Sequence, residues 1–553
     1  MYSDKENINI LTSLLLAHGL RHAVVCPGSR NAPITHNLCE AKGMTCESVT
    51  DERSAAFIAL GKAQALGEPV VVCVTSGSAL VNTLPAVVEA WYQHVPIIVV
   101  SADRPEAMIG QLQGQTMPQQ KTLESFWAKE VSLPEPHDDV ERWYCNRLVN
   151  EALCAMTQSG NRPVHINVPI SEPLFNFTTR VLSAQRRINL VDNRLWQSEL
   201  TEEFLASSRP MIVVGQLQGV VACRVNDAIK RLEEKYVVLS EQLSKYRGEP
   251  CHFDEALMDI GDDEAYKPDF IIYLGATLVS KRAKHFLQHC HPSRCVVVNA
   301  SGELTDVTMN VTDVVACRVE DVVGSICEEM ESGDFKFSKE ATAFRKRWAT
   351  ELAKWTMRCK QFEPAYSQMM AVRQLCELTN YQECSMQFAN SSAVRLGQLY
   401  SCHHIYVNRG VNGIEGSLST AVGFASLKEK PVYCVIGDLS FFYDQNALWN
   451  GVVKNRLRII MLNNGGGGIF HQLHGLEKSP YRDYFVSAAH SASAKGVCDA
   501  TGVVYKAARN EEQLRDGINW ITSNQVAEPL LLEVFTNAET DAREYERYFK
   551  NNI

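Results

Sequence analysis

Along the first third of the chain, short continuously apolar runs alternate with longer segments whose apolar residues recur at helical spacing. Ser3 and Glu6 have the spacing of a capping box, an apolar helix follows as far as His18, and Gly19 fits a helix stop. Residues 22–28 read as a strand ending in a turn. A helix over 52–66 closes at Gly67 and leads into a strand over 69–75, and a helix over 78–94 precedes a strand over 96–101. Runs that are apolar at every position are buried on both faces. With helices between them, they predict a parallel sheet covered on both sides.

The last third repeats this logic, with strands predicted over 404–408, 431–436, 458–463 and 529–535 and helices over 418–427 and 444–453. Weaker runs over 210–215, 236–240, 269–275 and 294–299 predict a middle sheet. Polar stretches near 180–205 and 325–370 are the candidate boundaries. The expectation is an α/β chain of three doubly wound parallel-sheet domains: 1–185, 186–345 and 346–553. No G-x-G-x-x-G turn follows a middle strand, which argues against a nicotinamide dehydrogenase.

Composition narrows the class. At 553 residues the chain exceeds one hydrophobic core. A net charge of −10 offers no field for nucleic acid or an anionic membrane, so an anionic ligand must be met by local basic groups. The 18 cysteines include no C-x-x-C pair, which excludes a zinc ribbon or a thioredoxin-type motif. Cys26, Cys73 and Cys434 fall in apolar runs and read as reduced core residues. The N-terminus lacks a basic signal-peptide region and no apolar run reaches membrane-spanning length, so a soluble cytoplasmic protein is expected.

Candidate chemistry begins at Gly437-Asp438, where a predicted strand ends. The next predicted strand ends at Asn463-Asn464, followed by four glycines, Gly465 to Gly468. Parallel sheets bind ligands at such ends. Mg²⁺ takes hard oxygen donors and shares its shell with phosphate oxygens. Asp438 offers a carboxylate, Asn464 an amide oxygen and the glycine run a carbonyl, while Gly437 lets the main chain approach a diphosphate. A Gly-Asp after a strand is common alone; both halves at strand ends are far more specific.

This pattern resembles the thiamine-diphosphate motif of the transketolase and pyruvate-decarboxylase superfamily. The resemblance implies thiamine diphosphate held through Mg²⁺, with Mn²⁺ as a substitute, by Asp438, Asn464 and the carbonyl of Gly466. In that superfamily a glutamate on the other cofactor-binding domain hydrogen-bonds the pyrimidine ring and activates the cofactor. Glu52, where a strand becomes a helix, is the candidate, with Asp51 the alternative one residue away. A Glu that starts a helix is otherwise explained by the helix dipole. Ile414 matches the apolar wedge beneath the bent cofactor.

Four further segments, Cys26-Pro-Gly-Ser-Arg-Asn-Ala-Pro33, Ser101-Ala-Asp-Arg-Pro105, Asn408 to Gly416 and Asn463 to Phe470, resemble one family closely: the 2-succinyl-5-enolpyruvyl-6-hydroxy-3-cyclohexene-1-carboxylate synthases of menaquinone biosynthesis. The resemblance implies decarboxylation of 2-oxoglutarate and 1,4-addition of the remaining succinyl carbanion equivalent to isochorismate. By residue matching, Arg30, Arg104, Lys281, Arg282, Arg395 and Arg409 would meet the substrate carboxylates. Arginine's planar fork suits that task. Ser29, Gln115 and Ser391 would add hydrogen bonds, and Ile469, Phe470 and Leu473 an apolar wall. Some relatives carry an amide where this chain has Gly114, which weakens detailed contacts from that loop. His471 and His474 lie near the glycine run with no assigned role. A homodimer or homotetramer follows from the superfamily, whose two cofactor-binding domains meet across subunits. The alternative is another 2-oxo-acid decarboxylase or carboligase, such as an acetolactate-synthase-like enzyme.

Overall fold

The computed structural model describes residues 1–550 except 123, 159, 189–197, 304, 332–337, 474 and 524–527. The continuous apolar runs form strands buried along their whole length, and all three sheets are parallel. Strands β1 (His22–Val25), β2 (Thr45–Ser48), β3 (Val70–Val74), β4 (Ile97–Asp103), β5 (Lys129–Ser132) and β6 (Val164–Pro169) form the first sheet, in the order β2-β1-β3-β4-β6-β5. The second contains β7 (Pro210–Val214), β8 (Val237–Ser240), β9 (Phe270–Leu274), β10 (Arg294–Val298) and β11 (Asp313–Val315), ordered β11-β10-β9-β7-β8. The third contains β12 (Ser385–Phe388), β13 (Ile405–Tyr406), β14 (Val432–Gly437), β15 (Leu457–Asn463), β16 (Val504–Ala508) and β17 (Leu530–Phe535), ordered β13-β12-β14-β15-β17-β16.

The chain divides into two compact units. One comprises Met1–Asp192, Asn408–Glu429 and Phe442–Leu457, and the other Asn193–Val407, Lys430–Phe441 and Arg458–Ile553. In the first unit, Leu11 and Leu14 of the helix Glu6–Ala17 and Leu153 of the helix Asp139–Gln158 share a core with Val71, Ile98 and Ile166. The helix Glu52–Leu66 packs there on the helix Ser417–Ala425 with unusually close main chains. A Cβ on Gly61 would lie 2.0 Å from the carbonyl oxygen of Thr420, and one on Gly423 2.1 Å from that of Ile58. In the second unit, Phe204, Ile212, Val225, Ile272, Val296 and Ile326 pack together around the middle sheet.

Local readings need correction in two places. Ser3 does not cap the first helix: Lys5 occupies the cap position without a side-chain bond, and the Ser3 hydroxyl accepts from the Lys5 N–H instead, forming a turn. The helix expected over 444–453 begins earlier, at Asp438, runs to Tyr443 and is followed by the short 3₁₀ turn Gln445–Ala447. The candidate boundary near 325–370 carries the helices Val319–Glu331 and Lys339–Gln361, the second of which buries Phe344, Trp348 and Trp355 among charged residues.

Candidate active site

Parallel strands deliver their carboxyl ends to one edge of a sheet, and the candidate residues gather at such edges. In the first unit, the segments after β2, β1, β3 and β4, consecutive in the sheet, carry Glu52, Ser29 with Arg30, Gly77 and Arg104. The two adjacent carboxylates after β2 have different surroundings. Asp51 is the N-cap: its Oδ1 accepts from the N–H of Arg53 (2.9 Å) and Ser54 (3.2 Å), and its Oδ2 accepts from Asn446 Nδ2 at 2.8 Å. Glu52, half-buried, accepts at Oε2 from Asn82 Nδ2 at 3.3 Å. Asp51 is thus engaged in holding the helix start, whereas Glu52 is lightly held.

Arg30 is buried, donating to the carbonyl of Ile170 (3.0 Å) and to Glu172 Oε1 (2.9 Å). Arg104 donates through Nε and Nη2 to the carbonyl of Gly114 at 3.2 and 3.0 Å. Position 114 therefore serves through its main chain, which any residue supplies. Ser29 and Gln115 are exposed, and the Gln115 carbonyl accepts from Ser76 Oγ. Also in this unit, Arg409 is buried and Ile414 is 42% exposed on the loop from Asn408 to Gly416.

In the second unit, the carboxyl ends of β12, β14 and β15, consecutive in their sheet, lead to Ser391 with Arg395, to Asp438 and to Asn464. Asp438 is 3% exposed. Burial pushes its carboxyl above the usual range, opposed by the N–H groups of Leu439, Gly466 and Gly465 and by His490. Its Oδ2 accepts from Gly465 N (2.9 Å) and Gly466 N (3.0 Å), with His490 Nε2 at 3.5 Å. Asn464 Nδ2 donates to Asp541 Oδ2 at 3.0 Å, which fixes Oδ1 as the acceptor end of the amide. Asn463 tightens the same turn: its Oδ1 accepts from Gly465 N, and its Nδ2 donates to buried Glu533.

These residues fit a divalent cation carrying a diphosphate. The donor set is a buried carboxylate, an oriented amide oxygen and a glycine carbonyl. Gly466, at φ +153°, could not bear a Cβ without meeting the Ser487 carbonyl at 2.6 Å. A Cβ on Gly437 would stand in open space, so the main chain there is approachable. Among the described residues, no cluster of three or more His, Cys, Asp or Glu could hold a metal. The expected set contains a single carboxylate.

Arg282 and Arg395 both act on Asp254. Arg282 Nη1 lies 2.6 Å from Asp254 Oδ2 with its guanidinium over the Phe549 ring, and both arginines draw the Asp254 carboxyl down against a larger upward push from burial. Arg395 lines a cavity of about 50 Å³ with Asp254, Ser280 and Tyr545, and Lys281 stands exposed at the start of its helix. Ile469 and Phe470 lie half-buried in the 3₁₀ turn Gly468–Gln472, with Leu473 exposed after it. His471 stands 3.9 Å from Asp483, and His474 lies outside the described residues. The histidine brought to Asp438 is His490, which no local pattern singles out. Asp254 and Asp541 were likewise invisible to motif reading.

Known protein families cover most of the chain. Residues 8–124 match the thiamine pyrophosphate enzyme N-terminal binding domain, 185–386 the middle domain of thiamine pyrophosphate enzymes, and 389–534 the C-terminal binding domain. A protein of Bacteroides thetaiotaomicron is 42% identical over 99% of both chains, one of Phocaeicola vulgatus 41% over 100% of both, and one of Porphyromonas gingivalis 31% over 99% of this chain and 97% of its own. Each is named 2-succinyl-5-enolpyruvyl-6-hydroxy-3-cyclohexene-1-carboxylate synthase. With cofactor-domain matches at both ends and full-length similarity at this level, the chain belongs to the family of those thiamine-diphosphate-dependent synthases.

Proposed function

We propose that the protein decarboxylates 2-oxoglutarate and adds the succinyl carbanion equivalent to isochorismate in a 1,4 manner, as a step of menaquinone biosynthesis in the cytoplasm. The observation that carries this reading is the oriented Asp438–Asn464 pair at the strand ends of one unit, and full-length likeness to the named synthases together with a basic set larger than cofactor binding requires supports the substrates. When bound, thiamine diphosphate supplies the electron sink for the carbanion left by CO₂. Asp438, Asn464 and the Gly466 carbonyl would hold its Mg²⁺. Glu52 would share a proton with the cofactor's pyrimidine nitrogen through a carboxylate oxygen. Ile414 would support the cofactor from below.

The substrates together present four carboxylates to a protein of net charge −10. Arg30, Arg104, Lys281, Arg282, Arg395 and Arg409 would offset that charge locally, with bidentate geometry available at the arginines. Ser29, Gln115 and Ser391 would orient the acceptor, and Ile469, Phe470 and Leu473 would exclude water from the reacting carbons. The division 1–185, 186–345 and 346–553 is assigned to pyrimidine, central and diphosphate domains, working as a homodimer or homotetramer. No described helix is long and apolar enough to cross a membrane.

The test is incubation with 2-oxoglutarate and isochorismate at saturating thiamine diphosphate and Mg²⁺, following CO₂ and product. CO₂ release coupled to loss of isochorismate is expected. Turnover of pyruvate alone, with isochorismate untouched, would overturn the reading in favour of an acetolactate-synthase-like carboligase.

A further inference from the structure

Glu89 sits on the helix Ser78–Gln93, whose other buried residues include Ala86, Val87 and Ala90, and is 3% exposed. Its carboxylate accepts from two consecutive main-chain N–H groups 321 and 322 positions away, Gly410 at Oε1 and Val411 at Oε2, each at 2.8 Å. Gln93, one turn along, donates to Glu89 Oε1 at 2.6 Å and reaches Asn408 Oδ1 at 3.4 Å. Asn408 Nδ2 in turn donates to Thr420 Oγ1 at 3.0 Å. Arg409 is therefore bracketed, with its predecessor and its two successors all tied down. The approach is close: a Cβ on Gly410 would lie 2.8 Å from both the Glu89 carbonyl oxygen and Tyr92 Cβ.

A lone helix needs no buried acid here, and a glutamine could not accept two N–H groups with its two ends, because one end is a donor. Two N–H groups converging on one carboxylate form a fixed, directional clamp. We propose that Glu89 is a positioning residue for the reaction: it clamps the Gly410–Val411 main chain and so sets where Arg409 presents its guanidinium to a substrate carboxylate. This deepens the proposed function and rests on its reading of Arg409.

The experiment is a double-mutant cycle on the assembled holoenzyme, with kcat and KM measured for 2-oxoglutarate and for isochorismate, and thermal unfolding recorded alongside. Glu89→Gln should raise KM for the substrate that Arg409 meets by about tenfold, the size of one misplaced charge-assisted hydrogen bond, and change KM for the other substrate far less. In an Arg409→Ala background, the same substitution should add less than about twofold, since groups that act through one another are not additive. Gly410→Ala, which pushes the loop off the helix and leaves the carboxylate in place, should reproduce the KM signature and stands in if Glu89→Gln does not fold.

If Arg409→Ala raises KM but the Glu89→Gln effect multiplies fully with it, Glu89 is merely structural and the inference falls. A folded Gly410→Ala enzyme with unchanged KM would also refute it. If Arg409→Ala leaves both KM values unchanged, the reading of Arg409 itself is wrong, and the inference goes with it.

Discussion

Replacing Glu52 by Gln and, separately, Asp51 by Ala perturbs two neighbouring carboxylates whose environments predict opposite outcomes. Glu52 is half-buried with a 3.3 Å bond from Asn82, and a glutamine oxygen can still accept that bond. Glu52→Gln should therefore change stability by less than about 0.5 kcal/mol. As the proton-transfer partner its loss should cost about 10²–10⁴-fold in kcat, or about 3–5 kcal/mol of barrier. Asp51 makes two N-cap bonds and one to Asn446. Removing the cap costs about 1 kcal/mol and the lost side-chain bond about another. Asp51→Ala should thus unfold measurably earlier while keeping far more activity than Glu52→Gln. The assay is CO₂ release at saturating substrates and cofactor, beside unfolding followed by circular dichroism. Full activity in Glu52→Gln, or collapse of activity in a folded Asp51→Ala protein beside a mild Glu52→Gln defect, would refute the assignment.

Gly61→Ala should destabilise by about 1–3 kcal/mol, because its Cβ would meet the Thr420 carbonyl at 2.0 Å and two helix backbones must separate; Gly451→Ala, which meets nothing within 4 Å, is the control in thermal unfolding. Asp444 is buried and accepts from the N–H and hydroxyl of Ser419, and burial pushes its carboxyl up to about 6. The folded state then holds this proton more tightly than the unfolded chain, so its stabilising effect is complete below about pH 4 and is lost as pH rises towards 6, by about 3 kcal/mol. Asp444→Asn should remove that slope, which urea unfolding at pH 4.5 and 7.5 would reveal; an unchanged gap between variant and wild type at the two pH values would count against it. Dialysis against EDTA should abolish activity and weaken thiamine diphosphate binding, with Mg²⁺ or Mn²⁺ restoring both. Indifference to EDTA would refute Asp438, Asn464 and Gly466 as metal ligands.

What could be read from the sequence follows from where burial is complete. Strands β3, β4, β7, β9 and β15 are buried at every position, so their apolar runs declared them. The edge strands β2 (Thr-Cys-Glu-Ser) and β16 (Val-Tyr-Lys-Ala-Ala) are partly exposed, carry polar residues and give no such signal. The site divides in the same way. Asp438 and Asn464 were legible because a parallel sheet exposes its strand ends in sequence as well as in space. Their orienting partners were not: Asp541 lies 77 positions from Asn464, Glu172 lies 142 from Arg30, and Asp254 lies 28 from Arg282 on a different helix. Local pattern reports which atoms can do chemistry, while their aim is set by bonds closed only after the chain has folded. Arg409 was named from a loop motif, and the acid that fixes that loop comes from a helix in the first sixth of the sequence. A functional group and the residue that points it answer to different physics, and the second kind is found only by following each buried charge to its partners.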